Sequence, residues 1–490
     1  MAFNFDNSNV AVRERRLGSI TGYAGTLEDL VERSHCGNLK NKERCFSQSS
    51  TCLSGCALNR LQAIRNVAII YHAPAGCATL ANGAATIGEQ LAARINETTN
   101  TVMVCTDLNE NDTIFGATKA LRDIIVHTWQ KYSPEAIFVS SSCVSGVIGE
   151  NIDDLAEDMK GEIPVPVIPV HCEGFKSRIW ASGFDIADHA VMQGLVEPPK
   201  QKRPVINFKN FYESARPQIT ELFAQIGVKP QFLYSNCTVD EIRHISESLA
   251  TVCVCGTLGT YLGNALEEKY GVPYIRTINF CGVTGFEAWF RQIGKTIGKE
   301  AEVEAYIARQ RAIYIPQIEE VKRDLAGLRA VIGMGPGYTY EVARVLKELG
   351  MEVVWAMAWH YDFKYDSGEV PPALDHLLKT NEGGHIPVSV SDQQNYEVLN
   401  ILNRYKPDIY FSRHPGSTVW AIKQGYAACY VADEYMIFGY EGTLKFAKTV
   451  LDTVRNRSFE RNLASRIKVP YTDWWYEQKI DTFMTGGVKN

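Results

Sequence analysis

Residues 330–350 read AVIGMGPGYTYEVARVLKELG, and this stretch decides the fold. An apolar run at residues 330–334 leads into a glycine-rich turn. Apolar positions at helical spacing then continue to Leu349. Gly350 follows as a C-cap, because glycine adopts the left-handed conformation that ends many helices. The stretch therefore predicts a strand–turn–helix unit whose turn lies at the carboxyl end of the strand.

The same alternation of strand-like runs and helical stretches extends along most of the chain. Many of the runs are rich in β-branched residues, as buried parallel strands require. They fall into three groups: 67–71, 101–105, 136–140 and 165–171; then 231–235, 251–255 and 273–278; then 330–334, 352–359, 388–390, 408–412 and 428–432. This order predicts an α/β protein with three doubly wound, Rossmann-like parallel-sheet domains around a central cofactor cleft.

The polar stretch EPPKQKRP at residues 197–204 and a charged helix around residues 317–329 suggest the boundaries between these domains. The predicted division is an N-terminal arm at 1–45, α/β domains at 46–203 and 204–328, and an α/β domain with a C-terminal segment at 329–490. The first 45 residues are polar and irregular, so they are expected to form an arm rather than part of a core.

Composition excludes several classes of partner. The chain has 490 residues, with 50 Lys and Arg against 56 Asp and Glu, and a formal charge of −6. This near balance argues against nucleic acid as the main partner. No apolar run approaches the ~20 residues that span a bilayer, and the N-terminus has no basic-then-apolar signal segment. We therefore expect a cytoplasmic protein without a membrane partner.

Thirteen cysteines are unusual for such a chain. An odd number in a reducing compartment does not suggest a disulfide framework, and most are expected to be small buried residues. The sequence has no G-x-S-x-G, C-x-x-C or H-E-x-x-H motif. The glycines of the turn at 333–337 are spaced one residue too closely for a dinucleotide site. They favour a tight turn near a cofactor, and we expect the chain itself to bind no ATP.

Three cysteines lie next to predicted strands. Cys56 precedes a strand, Cys77 follows that strand in HAPAGC (72–77), and Cys143 ends another in SSSCVSGVIGE (140–150). Backbone N–H groups at such strand ends stabilise thiolates, the usual ligands of iron–sulfur clusters. The residues alone leave two interpretations open, cluster ligands or three buried structural cysteines. Three ligands from one chain would leave a cluster incomplete, so the first interpretation implies a partner chain.

The motifs HAPAGC, SCVSGVIG (142–149), IPVHCEGF (168–175) and EEKYGVP (267–273) resemble the α-type subunit of nitrogenase component 1 and its relatives. The resemblance extends from about Cys52 to GYEG (439–442) and beyond. It implies a heterotetramer of two α-like and two β-like subunits. Cys56, Cys77 and Cys143 would bind a P-cluster, [8Fe-7S], shared with the β-like subunit. Cys255 would bind an active-site cluster of the [Fe8S9C] type.

The sequence departs from nitrogenase around the active-site cluster. Cys429 stands where nitrogenases have a histidine ligand, so either Cys429 replaces that imidazole or another residue ligates. Trp180 and Phe184 stand where nitrogenases have a glutamine and a histidine. His360 is a candidate relocated proton donor or simply a hydrogen-bonded histidine. Tyr338 replaces an arginine, which suggests a less anionic cofactor and leaves the heterometal and homocitrate open.

These departures favour an apolar or thioether-like substrate over dinitrogen. The resemblance then predicts the catalytic subunit of a nitrogenase-like reductase of the methylthio-alkane reductase type. A homodimeric ATP-binding iron protein would supply electrons, and C–S bonds of small methylated sulfur compounds would be cleaved to methanethiol and a hydrocarbon. The alternatives are a cofactor-assembly scaffold, a nitrogenase α subunit, or a nucleotide-dependent α/β enzyme without iron.

Overall fold

The computed structural model describes residues 3–46, 52–79, 81, 93, 97–209, 216–364, 370–380, 383–392, 394–431 and 434–485. Its strands are β1 Gly22–Thr26, β2 Glu43–Arg44, β3 Val67–His72, β4 Val102–Cys105, β5 Ala136–Ser141, β6 Val167–Val170, β7 Val205–Lys209, β8 Lys229–Leu233, β9 Ala250–Cys253, β10 Arg329–Met334, β11 Glu352–Ala358, β12 Pro387–Ser391, β13 Ile409–Ser412, β14 Ala427–Tyr430 and β15 Met484–Thr485.

The helices are α1 Arg13–Arg16, α2 Leu27–His35, α3 Leu53–Leu61, α4 Glu110–Phe115, α5 Thr118–Tyr132, α6 Cys143–Ile148, α7 Ile152–Asp158, α8 Ser182–Gly194, α9 Arg216–Ala224, α10 Val239–Arg243, α11 Thr260–Tyr270, α12 Gly282–Ile297, α13 Glu300–Leu325, α14 Pro336–Glu348, α15 Pro372–Lys379, α16 Asn395–Tyr405, α17 Pro415–Lys423, α18 Gly439–Arg455, α19 Ser458–Ala464 and α20 Asp473–Glu477. Residues 75–79 are also helical.

The chain forms two compact units, and the first comprises residues 1–16, 51–254 and 258–275. It holds a four-stranded sheet in the order β4-β3-β5-β6 and a three-stranded sheet in the order β8-β7-β9. All strand pairs in both sheets are parallel. The carboxyl ends of β3 and β5 are aligned, since His72 pairs with Ser141. Residues that follow these two strands therefore meet at one edge of the sheet.

The second unit comprises residues 17–50, 255–257 and 276–490. Its main sheet has the order β1-β12-β11-β10-β13-β14, in which β1 is antiparallel and the other pairs are parallel. The sheet is built around the strand–turn–helix unit that opened the sequence analysis, since β10 is central and leads directly into α14. The predicted α/β class with parallel sheets is confirmed.

The structure differs from the predicted division of the chain. The first predicted domain from residue 51 onward and residues 204–254 and 258–275 of the second belong to one compact unit with two sheets, whereas residues 255–257 and 276–328 belong to the other unit. The predicted arm is also part of the packed structure. Residues 22–26 form β1 at the edge of the six-stranded sheet, and Arg13 is fully buried in an ion pair with Asp185. The segment is thus held by apolar burial, with Leu17, Tyr23 and Leu30 each no more than 3% exposed, as well as by this ion pair.

Among the strands that were not predicted is β7, and one predicted strand is absent. β7 is the centre of the three-stranded sheet, but its buried Asn207 and Lys209 hide the apolar pattern. Asn207 donates to the carbonyl of Ile245 at 2.9 Å, and Lys209 pairs with Asp188. Residues 273–278 contribute a single bridge, between Tyr274 and Thr251, instead of a strand. Within the described part of the chain, no helix is long and apolar enough to cross a membrane.

Candidate functional site

Cys77 and Cys143 lie at the carboxyl ends of two neighbouring strands of the four-stranded sheet. Cys77 is in the helical residues that follow β3, and Cys143 is the first residue of α6 after β5. Both side chains are exposed. Partial burial raises the pKa of the Cys77 thiol, and the nearby thiols of Cys143 and Cys52 raise it further. The structure therefore brings these two predicted ligands together, with a third cysteine beside them.

That third cysteine is Cys52, which the sequence analysis did not select. It is the exposed N-cap residue of α3. A Cβ added to Gly174 would lie 2.6 Å from the Sγ of Cys52 and 3.3 Å from the Sγ of Cys143. Both sulfur atoms therefore face the same bare backbone. Glycine at position 174 therefore leaves room for both thiols, because a Cβ there would crowd them and at least the Cys52 thiol would have to move.

Cys56 is not part of this group. It lies one helical turn further along α3, it is only 7% exposed, and burial raises the pKa of its thiol to about 12. A Cβ on Gly183 of α8 would come within 2.8 Å of the Cys56 Cβ, so α3 and α8 are closely packed at this point. In this chain the Cys56 thiol is therefore enclosed between two helices, whereas the thiols of Cys52, Cys77 and Cys143 are exposed. Cys52 and Cys56 both precede β3 in the sequence, so the sequence alone gave no sign of which thiol is exposed.

Two further cysteines near this edge have partners within the protein. The thiol of Cys105 donates to the carbonyl of Ala73 at 3.0 Å, and the buried Sγ of Cys172 lies 2.9 Å from the Oγ of Ser140. Burial raises the pKa of the Cys172 thiol to about 12. In the described residues, no group of three or more His, Cys, Asp and Glu side chains is spaced to hold a single metal ion.

Glu173 is the charged group beneath the cysteines. It is 4% exposed, its Oε2 lies 2.6 Å from the Lys176 Nζ, and its Oε1 lies 3.6 Å from the His171 Nδ1. Burial alone would raise the pKa of this carboxyl, but hydrogen bonds with His171 and Lys176 outweigh it and lower the pKa to about 2. The carboxylate packs under Gly146 of α6, where a Cβ would lie 2.6 Å from its Cγ. Glu173 thus holds the Gly174 turn against the helix that carries Cys143.

The predicted aromatic pair also belongs to the first unit. The rings of Trp180 and Phe184 meet edge to face, with centroids 5.8 Å apart. Phe184 packs with Cys56 and Ile179 in a small apolar cluster. The guanidinium of Arg60 lies 5.4 Å from the Phe184 ring centroid. The predicted apolar surface therefore carries a cation on one ring, a feature that the residue types at 180 and 184 could not reveal.

In the second unit, Cys255 is buried next to the glycine-rich turn. Its side chain is 3% exposed, and its Sγ lies 3.4 Å from the Oγ1 of Thr257. A Cβ on Gly337 would lie 2.7 Å from this sulfur. The turn that precedes α14 therefore brings bare backbone to the thiol, as Gly174 does for Cys52 and Cys143. The two sites thus share one local design, a cysteine sulfur against a glycine.

The carboxyl edge of the six-stranded sheet carries the other predicted polar groups. Tyr338 lies in the first turn of α14, and the guanidinium of Arg413, which follows β13, stacks 4.1 Å from its ring centroid. The structure thus places a cation against the ring of Tyr338. Arg413 was missed because nothing in its local sequence connects it with residue 338.

His360 follows β11 and is 1% exposed. Its Nε2 lies 3.5 Å from the Oδ2 of Asp362, which also accepts a hydrogen bond from Ser19. His414 follows β13, lies with its ring centroid 6.4 Å from that of Trp359, and has its pKa lowered by burial. Two imidazoles therefore lie just beyond strands of this sheet.

Cys429, the predicted second ligand of the active-site cluster, lies within a strand and not after one. It lies inside β14, in register with Phe411 of β13, and is 5% exposed. Burial raises the pKa of its thiol to about 12. The segment between Cys429 and the GYEG turn includes residues 432–433, which lie outside the described residues. The structure does not bring Cys429 to any other predicted site residue among those described.

Comparison with known proteins gives this arrangement a context. The family model for nitrogenase component 1 type oxidoreductases matches residues 52–455. A nitrogenase iron-molybdenum cofactor biosynthesis protein NifE from Methanococcus maripaludis is 28% identical over 425 residues, which cover 84% of each chain. A nitrogenase molybdenum-iron protein alpha chain from Methanosarcina barkeri is 29% identical over 446 residues, covering 79% of this chain and 82% of that one.

The fold is similar to that of a solved structure described as nitrogenase Cp1 at pH 6.5. The TM-score is 0.70 at 20% identity, over 87% of this chain and 92% of the other. The family match begins at Cys52 and includes Cys77, Cys143, Cys255 and the GYEG turn. On this evidence the chain belongs to the nitrogenase component 1 family of oxidoreductases.

Proposed function

We propose that this chain is the catalytic, α-type subunit of a nitrogenase-like reductase that cleaves C–S bonds in small methylated sulfur compounds. The observation that carries the proposal is the meeting of three exposed thiols, of Cys52, Cys77 and Cys143, at one edge of the four-stranded sheet. Exposed thiols on preformed strand ends suit a shared iron–sulfur cluster, because part of the ligand set must come from a partner.

The thiols of Cys52, Cys77 and Cys143 would hold this chain's half of a P-cluster. Cys52 takes the place that the sequence had given to Cys56, since a thiol sealed between two helices would need the helices to separate before it could bind iron. Gly174 leaves the space beside two of the sulfurs open. The other half of the ligand set would come from a β-like subunit in an α2β2 heterotetramer.

Cys255 would hold the active-site cluster of the [Fe8S9C] type, and Gly337 keeps a side chain away from its sulfur. Such a cluster, when bound, supplies electrons at low potential for reduction of the substrate. Arg413, which stacks on Tyr338, lies in the same compact unit as Cys255. Its positive charge would suit an anionic cofactor. His414 is the imidazole we favour as second ligand, because it follows a strand of the same sheet, whereas Cys429 lies within a strand.

The rings of Trp180 and Phe184 support the choice of substrate. A pair of edge-to-face rings offers a largely apolar surface, in which the indole N–H of Trp180 is the one polar group that the two side chains carry. A methyl thioether gains contact with such a surface. His360, with Asp362 beside it, would hold a proton for the reaction. The net conversion of dimethyl sulfide takes up two electrons and two protons and gives methane and methanethiol.

The test is turnover by the assembled complex, purified without oxygen. The complex is incubated with a homodimeric ATP-binding iron protein, ATP, a reductant and dimethyl sulfide. We expect methane and methanethiol in equal amounts, and none when ATP is omitted. A complex that contains both clusters but releases neither product would reject the proposed substrate.

The similarity to NifE supports a second candidate, a scaffold on which a cofactor is assembled. A scaffold would transfer its large cluster to an apo-acceptor instead of turning over substrate. The loaded complex is mixed with an apo-protein that lacks the active-site cluster, and both are separated and analysed for iron. Rapid transfer without product formation would favour the scaffold, whereas retention of the cluster would favour the enzyme.

A further inference from the structure

Three groups surround the hydroxyl of Ser54, which lies just after Cys52 and is 2% exposed. The Sγ of Cys52 lies 3.5 Å from the Ser54 Oγ, and the Ser54 hydroxyl donates to the backbone carbonyl of Cys172. The third group is the phenol of Tyr71, for which Ser54 is the hydrogen-bonding neighbour. A buried serine thus connects a proposed cluster ligand with a buried tyrosine.

The number of hydrogens limits what Ser54 can do. A serine hydroxyl has one hydrogen to donate and two lone pairs that accept. The Cys172 carbonyl can only accept, so it takes the Ser54 hydrogen while the Cys52 thiol donates its own hydrogen to Ser54. A metal-bound Cys52 has lost that hydrogen. A hydrogen bond between the two residues then requires Ser54 to turn its hydrogen from the Cys172 carbonyl to the Cys52 thiolate.

Tyr71 is placed to support that rotation. It is 4% exposed and lies in β3, paired with Cys105 on one side and Ser140 on the other. Its phenol can donate to the Ser54 oxygen, which fixes the oxygen while the Ser54 hydrogen turns. A phenol carries one hydrogen that it can donate.

We propose that Ser54, held by Tyr71, is a positioning residue that donates a hydrogen bond to the Cys52 thiolate and thereby raises the reduction potential of the iron–sulfur cluster bound there. Hydrogen bonds to the sulfurs of a cluster stabilise its more negative, reduced state. The inference rests on the proposed function only in taking Cys52 as a cluster ligand. It adds a means by which this chain sets the driving force for electron transfer.

The experiment is a potentiometric titration of the assembled complex, followed by electron paramagnetic resonance, for Ser54→Ala and Tyr71→Phe. We expect the midpoint potential of the shared cluster to become more negative in Ser54→Ala and to shift in the same direction, but less, in Tyr71→Phe. Ser54→Thr keeps a hydroxyl and should restore the wild-type midpoint. Iron content should stay the same in all of these variants.

Tyr410→Phe is the matched control. Tyr410 is a buried tyrosine in β13, and it lies in the other compact unit. The Tyr410→Phe variant should leave the midpoint potential of the cluster unchanged. An unchanged midpoint in an iron-replete Ser54→Ala complex would overturn the inference, and so would loss of iron from that variant. Cys52→Ala distinguishes this outcome from failure of the proposed function. If Cys52 is not a cluster ligand, the Cys52→Ala complex keeps its full iron content.

Discussion

At the scale of single residues, the difference between Cys52 and Cys56 shows what position in a helix does to a thiol. Cys52 caps α3 and is exposed, whereas Cys56 is enclosed one turn later. The sequence correctly singled out strand ends as the place for thiols, and the structure brings Cys77 and Cys143 together there. It selected Cys56 and not Cys52, four residues away, because only packing against α8 separates the two.

Replacement of either cysteine tests this distinction. Cys52→Ala should remove the shared cluster and lower the iron content of the complex, because one of three proposed ligands from this chain is lost. Cys56→Ala is the matched control. It should keep the iron and destabilise the chain by about 1 kcal/mol, the typical cost of a buried truncation. Metal analysis measures the iron content of the two complexes, and thermal unfolding measures their stability. Loss of iron from Cys56→Ala but not from Cys52→Ala would identify Cys56 as the ligand.

Glu173 predicts a pH dependence. Its pKa is lowered from 4.5 to about 2, so its contribution to stability is complete above about pH 4.5 and is lost as the pH falls toward 2. Glu173→Gln should therefore cost on the order of 3 kcal/mol at neutral pH and progressively less on acidification. Thermal unfolding of both proteins at about pH 6 and about pH 3.5 measures the difference.

Glu157→Gln is a suitable control for Glu173→Gln. Glu157 also pairs with a lysine three residues away, Lys160, but both side chains are more than two-thirds exposed, at 69% and 68%. Exposed ion pairs contribute roughly 0–1 kcal/mol. The control should change little at either pH. A pH-independent effect of Glu173→Gln would mean that its carboxylate does not carry the charge-dependent stability.

At the scale of elements, most strands could be predicted because buried parallel strands are continuous apolar runs. The failures have specific causes. β7 was missed because Asn207 and Lys209 are polar residues whose partners come from distant parts of the chain. β1 was missed because it is short and contains two glycines, Gly22 and Gly25, so its pairing with β12 depends on tertiary structure. Arg413 escaped notice for the same reason, since it meets Tyr338 only in the folded sheet.

The buried ion pair in β7 leads to a prediction about that strand. Lys209 and Asp188 are each 1% exposed and paired, and Lys209 also donates to the Leu258 carbonyl at 3.2 Å. Lys209→Met should destabilise the chain by about 3–5 kcal/mol, because it leaves an uncompensated buried carboxylate. The double variant Lys209→Met with Asp188→Leu should recover much of that loss. Urea unfolding of the wild type, of Lys209→Met and Asp188→Leu alone, and of the double variant measures the coupling, and simple additivity would show that the pair does not act as a unit.

At the scale of the whole molecule, the two compact units each have their own sheets and apolar interior, so we expect neither to require iron to form its elements. The thiols lie on strand ends and helix starts that the sheets already position. Anaerobic removal of iron with a chelator should therefore leave the far-ultraviolet circular dichroism spectrum nearly unchanged while lowering the melting temperature. A large loss of helical signal would show that the clusters are needed for folding.

The antiparallel strand Gly22–Thr26 has a consequence for anyone handling this protein. It covers the outer side of Pro387–Ser391, whose backbone groups would otherwise be bare. A gene shortened to begin near Cys52, where the family match starts, would expose this edge of the sheet. Exposed strand edges pair with those of other molecules and cause aggregation. Expression trials should retain the first fifty residues even though the family resemblance starts after them.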